Sequence, residues 1–348
     1  MVKKNSKLDR SAKSLFIGLI ICLLLIYGGD IVMPILLSGF IATLLTPLAN
    51  TFEKWHMPRA LSSLISVLLA FTFLLGVVTL ISVKSTDIIT DLDLVKKVNQ
   101  LEFLNSKDSF DAEMDSRLGE YKNMVYSSLE GVKNMIFQMG EQAATSLKDA
   151  FIFLVTFPVY LFFMLMYRGN IGDFTLEYLK GTNINNPQDL IKDMQKVLQQ
   201  YLKGLALLIL IISSLTGIGL FFLGIKHAFI IGLISGILTL IPFVGVILSA
   251  LIPIIIALAT KDSIWYTVGV VAVYAVVQFL EGNIITPKVV GNSININPLV
   301  VIIGLVIMGA LTGIIGMILT LPILAILKVI TNHYSELRPW KILMQDKE

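Results

Sequence analysis

Seventeen residues, Ile264 to Leu280, pass without a formal charge, and then Glu281 opens a polar run. The run reads Gln278-Phe-Leu-Glu281-Gly282-Asn283-Ile-Ile-Thr286-Pro287-Lys288, then Val-Val-Gly291-Asn292-Ser293-Ile-Asn295-Ile-Asn297-Pro298. Ionisable groups at membrane depth are costly and mark ion or substrate paths. A carboxylate there could take a proton or a cation, with Lys288 near enough to be its counter-charge. The plainer reading has Glu281 end a helix at the interface, paired with Lys288. Asn283, Thr286 and Asn297 could hydrogen-bond a polar solute or cap broken helices.

Two apolar stretches on either side of this run contain residues that an ordinary span lacks. The first is Gly236-Ile-Leu-Thr239-Leu-Ile-Pro242-Phe-Val-Gly245-Val-Ile-Leu-Ser249-Ala-Leu-Ile-Pro253. The second is Gly309-Ala-Leu-Thr312-Gly313-Ile-Ile-Gly316-Met-Ile-Leu-Thr320-Leu-Pro322. Each shows Gly-x-Leu-Thr, then Gly-x-Ile-Leu-Ser/Thr, then Pro. Proline removes an amide donor and clashes with the preceding turn, so Pro242, Gly245, Pro253, Gly313, Gly316 and Pro322 are candidate breaks or hinges. Paired Gly/Pro-interrupted segments point to a transporter's binding site. Against a repeat stand the small apolar alphabet and the unequal glycine spacing, nine residues against seven.

Other chemistries lack their residues. His56, His227 and His333 are isolated, and no Cys/His/carboxylate spacing fits zinc. There is no phosphate-binding Gly-x-x-x-x-Gly-Lys-Ser/Thr loop and no recognisable hydrolytic triad motif. No catalytic residue, metal or cofactor is expected. The basic residues form no patch with interleaved aromatics, so nucleic acid is not a partner.

The elements that must hold these groups lie in lipid. Of 348 residues, 55% are hydrophobic and 15% charged, and the mean hydropathy is +0.82. Soluble domains carry about 25% charged residues, so this chain expects a bilayer around it. The lone Cys22 allows no intrachain disulfide. Crossing a ~30 Å core takes about 17–25 apolar residues, which predicts membrane segments at 14–29, 31–52, 61–83, 150–167, 204–224, 228–259, 264–280 and 299–330. Asp30 marks a tight turn between the first two, and the basic N-terminus leads a retained span. The stretches 228–259 and 299–330 exceed one upright helix and fit either broken spans or re-entrant hairpins, and charge parity does not choose between crossing and re-entry.

The predicted fold is thus an all-α polytopic membrane protein of about eight segments with a helical extracytoplasmic insertion. Its parts are 1–83 (three spans), the insertion 84–149, the fourth span 150–167, a cytoplasmic amphipathic segment 168–203, a transport core 204–330 and a tail 331–348. The insertion holds twelve acidic and eight basic residues, a net of −4, leaving +7 elsewhere. Positive loops favour the cytoplasm, which places both termini there. Leu92, Val95, Val98, Leu101 and Leu104 repeat at helical spacing, fitting a helical hairpin, an oligomer contact or a substrate-capturing domain. Asn186-Pro187-Gln188-Asp189 starts a helix, whose stripe Ile191, Met194, Val197, Leu198 and Tyr201 predicts an amphipathic helix on the inner surface leading into the span at 204. Gly217 and Gly219 permit close helix packing.

The chain resembles the autoinducer-2 exporter family of permeases. The resemblance rests on Ile241-Pro242-Phe243-Val244-Gly245, on Leu280-Glu281-Gly282-Asn283-Ile284-Ile285-Thr286-Pro287-Lys288-Val289-Val290-Gly291, on Asn297-Pro298-Leu299-Val300-Val301, and on Gly309 to Lys328. Pro47 and the Pro58-Arg59 turn also suit the family. It implies a bacterial inner-membrane protein of eight segments with an external domain after the third. The implied activity is export of the quorum-sensing signal autoinducer-2, although some members are assigned sodium(lithium)/proton antiport. It also implies that Glu281, Asn283, Thr286, Pro287 and Lys288 lie at or beside the path. The expected partners are the lipid bilayer, a small polar solute or a monovalent cation or proton, and further copies of the chain. A non-transporting membrane scaffold using the external segment is the reading from another class.

Overall fold

The computed structural model describes residues 16, 20, 23–91, 147–181, 184, 186–242, 244–261, 263–289, 296–334 and 337–345. Among them all regular structure is helical, as expected for a polytopic membrane protein. Five described helices are long and apolar enough to cross a bilayer, and a bent pair makes a possible sixth. Residues 14, 15, 17–19, 21 and 22 of segment 14–29, and residues 92–146 with their helical stripe, lie outside the described residues.

The N-terminal part packs α1 (Gly29–Lys54), α2 (Arg59–Asp91) and α3 (Leu147–Met166). Small residues set the approach of these helices: Ala42 and Ala49 join Val67, Phe157, Leu161 and Leu165 in one buried cluster. Fully buried Ser38 donates to the Phe157 carbonyl at 3.1 Å. The turn expected at Asp30 is instead a bend at Gly28. Helical bonds continue across it, from Gly28 N–H to Leu24 O and from Val32 N–H to Gly28 O. A reversal needs several residues free of helical bonding, so residues 23–27 and α1 run on from one another rather than folding back.

At the far end of α1, Arg168 ties the bundle together. Its guanidinium donates to Leu165 O and Asn50 Oδ1, each at 2.8 Å, and to Glu53 Oε1 at 2.5 Å. There α4 (Arg168–Lys180) turns away from α3 by 67°.

Helix α5 (Pro187–Phe222) begins where the Asn-Pro signal placed it. The surface helix and the span from 204 are one unbroken helix of 36 residues, about 54 Å long at 1.5 Å per residue. No proline interrupts it after Pro187, and Gly204 alone costs only about 1 kcal/mol. A helix this straight cannot lie flat and then cross.

Stretch 228–259 is a hairpin of α6 (Ala228–Leu238) and α7 (Val244–Thr260). Tight turns at Gly224 (φ +65°) and His227 (φ +58°) send α6 back along α5. Glycines make the contact: a Cβ on Gly232 would lie 2.5 Å from Ser213 O, and one on Gly236 would lie 2.6 Å from Ile209 O. After the turn containing Pro242, α7 returns until Lys261 Nζ reaches Gly224. Both open ends therefore share one level.

Helix α8 (Ile264–Leu280) runs antiparallel to α5, with Val273 against Gly219 and Leu223 against Gly269. Its Tyr274 hydroxyl lies 2.7 Å from Ser235 Oγ on α6 and donates to Ser249 O on α7 at 2.9 Å. Ser249 is the carbonyl four residues before Pro253, which has no N–H to offer it. Tyr274 supplies the missing donor, so α7 continues through Pro253 without a break. The hinge expected at Pro253 is corrected on that ground.

The chain continues in a five-residue π-turn, π1 (Glu281–Ile285), and one turn of helix, α9 (Thr286–Val289). The last long element, α10 (Pro298–His333), is two arms joined at Gly313, whose φ of 66° and ψ of −148° are not helical. Gly304 faces Thr320 and Leu324, and Gly309 faces Met317. In a straight helix residues 304 and 320 would stand about 24 Å apart, so the arms fold back on each other. Pro322 lies buried within the second arm and breaks nothing. Helix α11 (Arg338–Met344) closes the base, where Asn297 N–H donates to Met344 O at 3.0 Å.

Two stability changes test this architecture in purified protein. Gly313→Ala should lower the unfolding free energy by about 1–3 kcal/mol, because that backbone region is nearly glycine-only. A straight helix would instead be stabilised by about 1 kcal/mol, so the sign of the thermal shift decides. Tyr274→Phe should cost about 1–3 kcal/mol by orphaning a buried carbonyl. Adding Pro253→Ala restores a donor, and the double variant should lose less than the sum; plain additivity would refute the pairing.

Candidate functional site

The two hairpins enter the helix bundle from opposite ends of α5. The first opens at the Gly224 end. The second opens at the other end, where Val329 clusters with Ile184 and Leu190, and His333 Nε2 lies 3.3 Å from Asp193 Oδ2. Contacts along α5 fix the depth of each tip. Gly236 meets Ile209, which puts the first tip just beyond that level. Leu319 shares a buried cluster with Leu198, Tyr201, Leu202, Leu208 and Ile212, and the partly buried Met308 and Ile315 pack against it. Both tips therefore lie beside the middle of α5.

Glu281 lies at the same depth. The pairs Val273/Gly219 and Leu223/Gly269 set the register of α8 on α5, and extending it eight residues brings Glu281 level with Ile211. The local backbone is unusual there for a reason visible in the sequence. Thr286 N–H bonds to Glu281 O, five residues back. The Gly282 carbonyl would then look to residue 287, a proline without a donor. Such π-turns recur at functional sites. On this segment Glu281 and Thr286 are half-buried, while Gly282, Asn283, Pro287 and Lys288 are exposed. Freed backbone groups at membrane depth persist where protein or a watery cavity satisfies them. A carboxylate, a carbonyl and a hydroxyl on one short segment can take a proton, a small cation or a polar solute.

The sequence-predicted residues divide clearly. Glu281, Asn283, Thr286, Pro287 and Lys288 come together on π1 and α9. Asn283 Nδ2 is already committed to Phe279 O at 2.9 Å. Among the described residues no ion pair joins Glu281 to Lys288; seven residues along a helical path separate them by about 10 Å. Asn297 stands apart at the base of the second hairpin, where its Oδ1 accepts from Leu299 N–H at 2.9 Å as a helix cap. The described residues hold no cluster of three or more metal-ligating side chains.

The motif shared by the two stretches falls on equivalent places. Thr239 and Thr312 end the first arms, and each hydroxyl donates to the carbonyl four residues earlier at 3.0 Å. Gly245 and Gly316 begin the second arms with no room for a Cβ, against Leu238 O and Met308 O respectively. Pro242 and Gly313 make the turns. Ser235 and Tyr274, which lock the first hairpin to the helix bearing Glu281, were not singled out from the sequence. Their signal was a lone serine and a lone tyrosine in apolar helices, with Pro253 leaving a carbonyl to be paired.

Comparison with known proteins places the chain among transport proteins. YrrI of Bacillus subtilis strain 168, provisionally named a transport protein, is 28% identical over 325 residues, 88% of each chain. YueF of the same organism, named likewise, is 26% identical over 87% of this chain and 84% of its own. The AI-2 transport protein TqsA of Escherichia coli K12 is 24% identical over 92% of this chain and 91% of its own. The AI-2E family transporter model matches residues 15–336, and the chain, an integral membrane protein, belongs to that family of transporters.

Proposed function

We propose that the chain is a secondary transporter that moves a small polar solute across a bacterial cytoplasmic membrane, with autoinducer-2 as the first candidate and Glu281 as the ion- or proton-binding group. The observation that carries this reading is the common depth of Glu281 and the two opposed hairpin tips. Half-helices meeting at the midplane supply backbone groups to a bound solute, and an ionisable residue there supplies the coupling charge. The AI-2 transport protein TqsA, 24% identical, supports that solute. Glu281 and Thr286 would touch the cargo, the Gly282 carbonyl would share it, and Pro242, Gly245, Gly313 and Gly316 would shape the tips. Lys288, unpaired with Glu281, would contribute positive charge at the edge of the path.

Sidedness follows from charge. Lys54, Arg168, Lys192, Lys196, Arg338 and Lys341 lie on elements that meet at the base of the second hairpin. That end would face the cytoplasm, and the C-terminus with it. Transport of sodium or lithium against protons would use the same carboxylate and is an outcome of the same assay.

The assay is flux in liposomes containing purified protein under an imposed pH gradient, with autoinducer-2, sodium and lithium offered separately. Glu281→Gln should reduce flux of the transported species to the protein-free leak while leaving the thermal midpoint unchanged. Wild-type flux in that variant would remove Glu281 from the mechanism. Dissipation of the gradient by sodium or lithium alone would replace the solute with a cation.

A further inference from the structure

The half of α5 that precedes its apolar part carries chemistry unused by the mid-depth site. Lys192, Gln195, Lys196, Gln199, Gln200 and Lys203 line one open cleft of about 340 Å³. Their steps of three and four residues define a single helical face. The opposite stripe, with Leu190, Leu198 and Tyr201 buried, turns inward. Every lining side chain offers N–H donors, three are cationic and none is acidic.

Lysines four residues apart on a helix repel each other, and the nearest carboxylates on α5, Asp189 and Asp193, are turned to other partners. Asp193 faces His333, Asp189 Oδ2 accepts from Asn186 Nδ2 at 2.5 Å, and no described carboxylate forms an ion pair with Lys192, Lys196 or Lys203. Three positive charges thus stand along about 16 Å of helix, with flexible side chains able to converge on one group. A monovalent cation is repelled from such a cleft. A neutral solute gains little from three ammonium groups.

We propose that this cleft binds a phosphate-bearing anion, held by Lys192, Lys196 and Lys203 with the glutamine amides as further donors. Phosphate can reach it from two sources. Lys203 adjoins the apolar part of α5, within reach of an anionic phospholipid headgroup, and Lys192 stands further into water, within reach of a soluble phosphorylated compound. The inference does not depend on the transport reading of Glu281.

The test uses the full chain in zwitterionic nanodiscs and two probes. Phosphatidylglycerol is titrated in and retained lipid counted by native mass spectrometry; inorganic pyrophosphate is titrated by calorimetry. The variant Lys192→Gln/Lys196→Gln/Lys203→Gln replaces exposed side chains and should keep the wild-type thermal midpoint; Lys196→Gln alone serves if it does not. The comparison variant Lys54→Gln/Arg338→Gln/Lys341→Gln removes equal charge from the same end. The cleft variant should weaken one probe on the order of 100-fold, about fivefold per lysine, with binding falling as salt is raised. Lys196→Gln alone should weaken it about fivefold, and the comparison variant by less than that. Retention of phosphatidylglycerol alone identifies a headgroup site, and pyrophosphate binding identifies a soluble ligand. Equal losses in both triple variants, or no binding of either probe to the wild-type chain, would overturn the proposal.

Discussion

A helix that stops inside a membrane leaves backbone donors and acceptors that lipid cannot satisfy, and that constraint organises this chain. Both hairpins end near the middle of α5. Each is hidden by close packing and each recruits hydroxyl groups. Gly232 and Gly236 bring α6 against α5, and Gly245 and Gly316 bring the second arms against the first. Thr239, Thr312 and Thr320 return their hydroxyls to carbonyls four residues back. The helix bearing Glu281 obeys the same rule through Tyr274, which satisfies the carbonyl that Pro253 leaves open.

The functional geometry is a by-product of solving this problem twice from opposite ends. One hairpin opens at the Gly224 end of α5 and the other at the Asp193 end. Their tips and the π-turn then fall near one depth along α5, with the Glu281 carboxylate beside them. The helices α1, α2 and α3 share a cluster and an Arg168 network of their own, while α1 also sends Met33 and Phe40 into the central cluster with Tyr201 and Leu319.

Much of this was legible in the sequence because membrane insertion restricts what apolar segments can contain. Glycine and proline in 228–259 and 299–330 announced broken segments, and the hairpins have the expected length. The polar residues after a charge-free helix marked the candidate site. What could not be read were relations between distant positions. Pro253 and Pro322 looked like breaks, yet both lie within helical arms, and Tyr274, whose hydroxyl replaces the bond lost at Pro253, sits twenty-one residues after it. Asn297 looked like a solute ligand, but the helix that starts at Pro298 leaves an amide to be capped, and Asn297 Oδ1 accepts from Leu299 N–H. The pairing of Glu281 with Lys288 failed because nearness in sequence is not nearness across two helical turns. The division of α5 into a surface helix and a span failed because composition changes at 204 while backbone propensity does not.

The unbroken length of α5 has a mechanical consequence. Both hairpins and α8 lean on one rod, so they share its orientation. A rod of about 54 Å rocked by roughly 10° about its centre sweeps each end sideways by about 5 Å, while its midpoint stays nearly still. A fulcrum placed at Glu281 would let the two mouths widen and narrow in opposition while the bound cargo barely shifts.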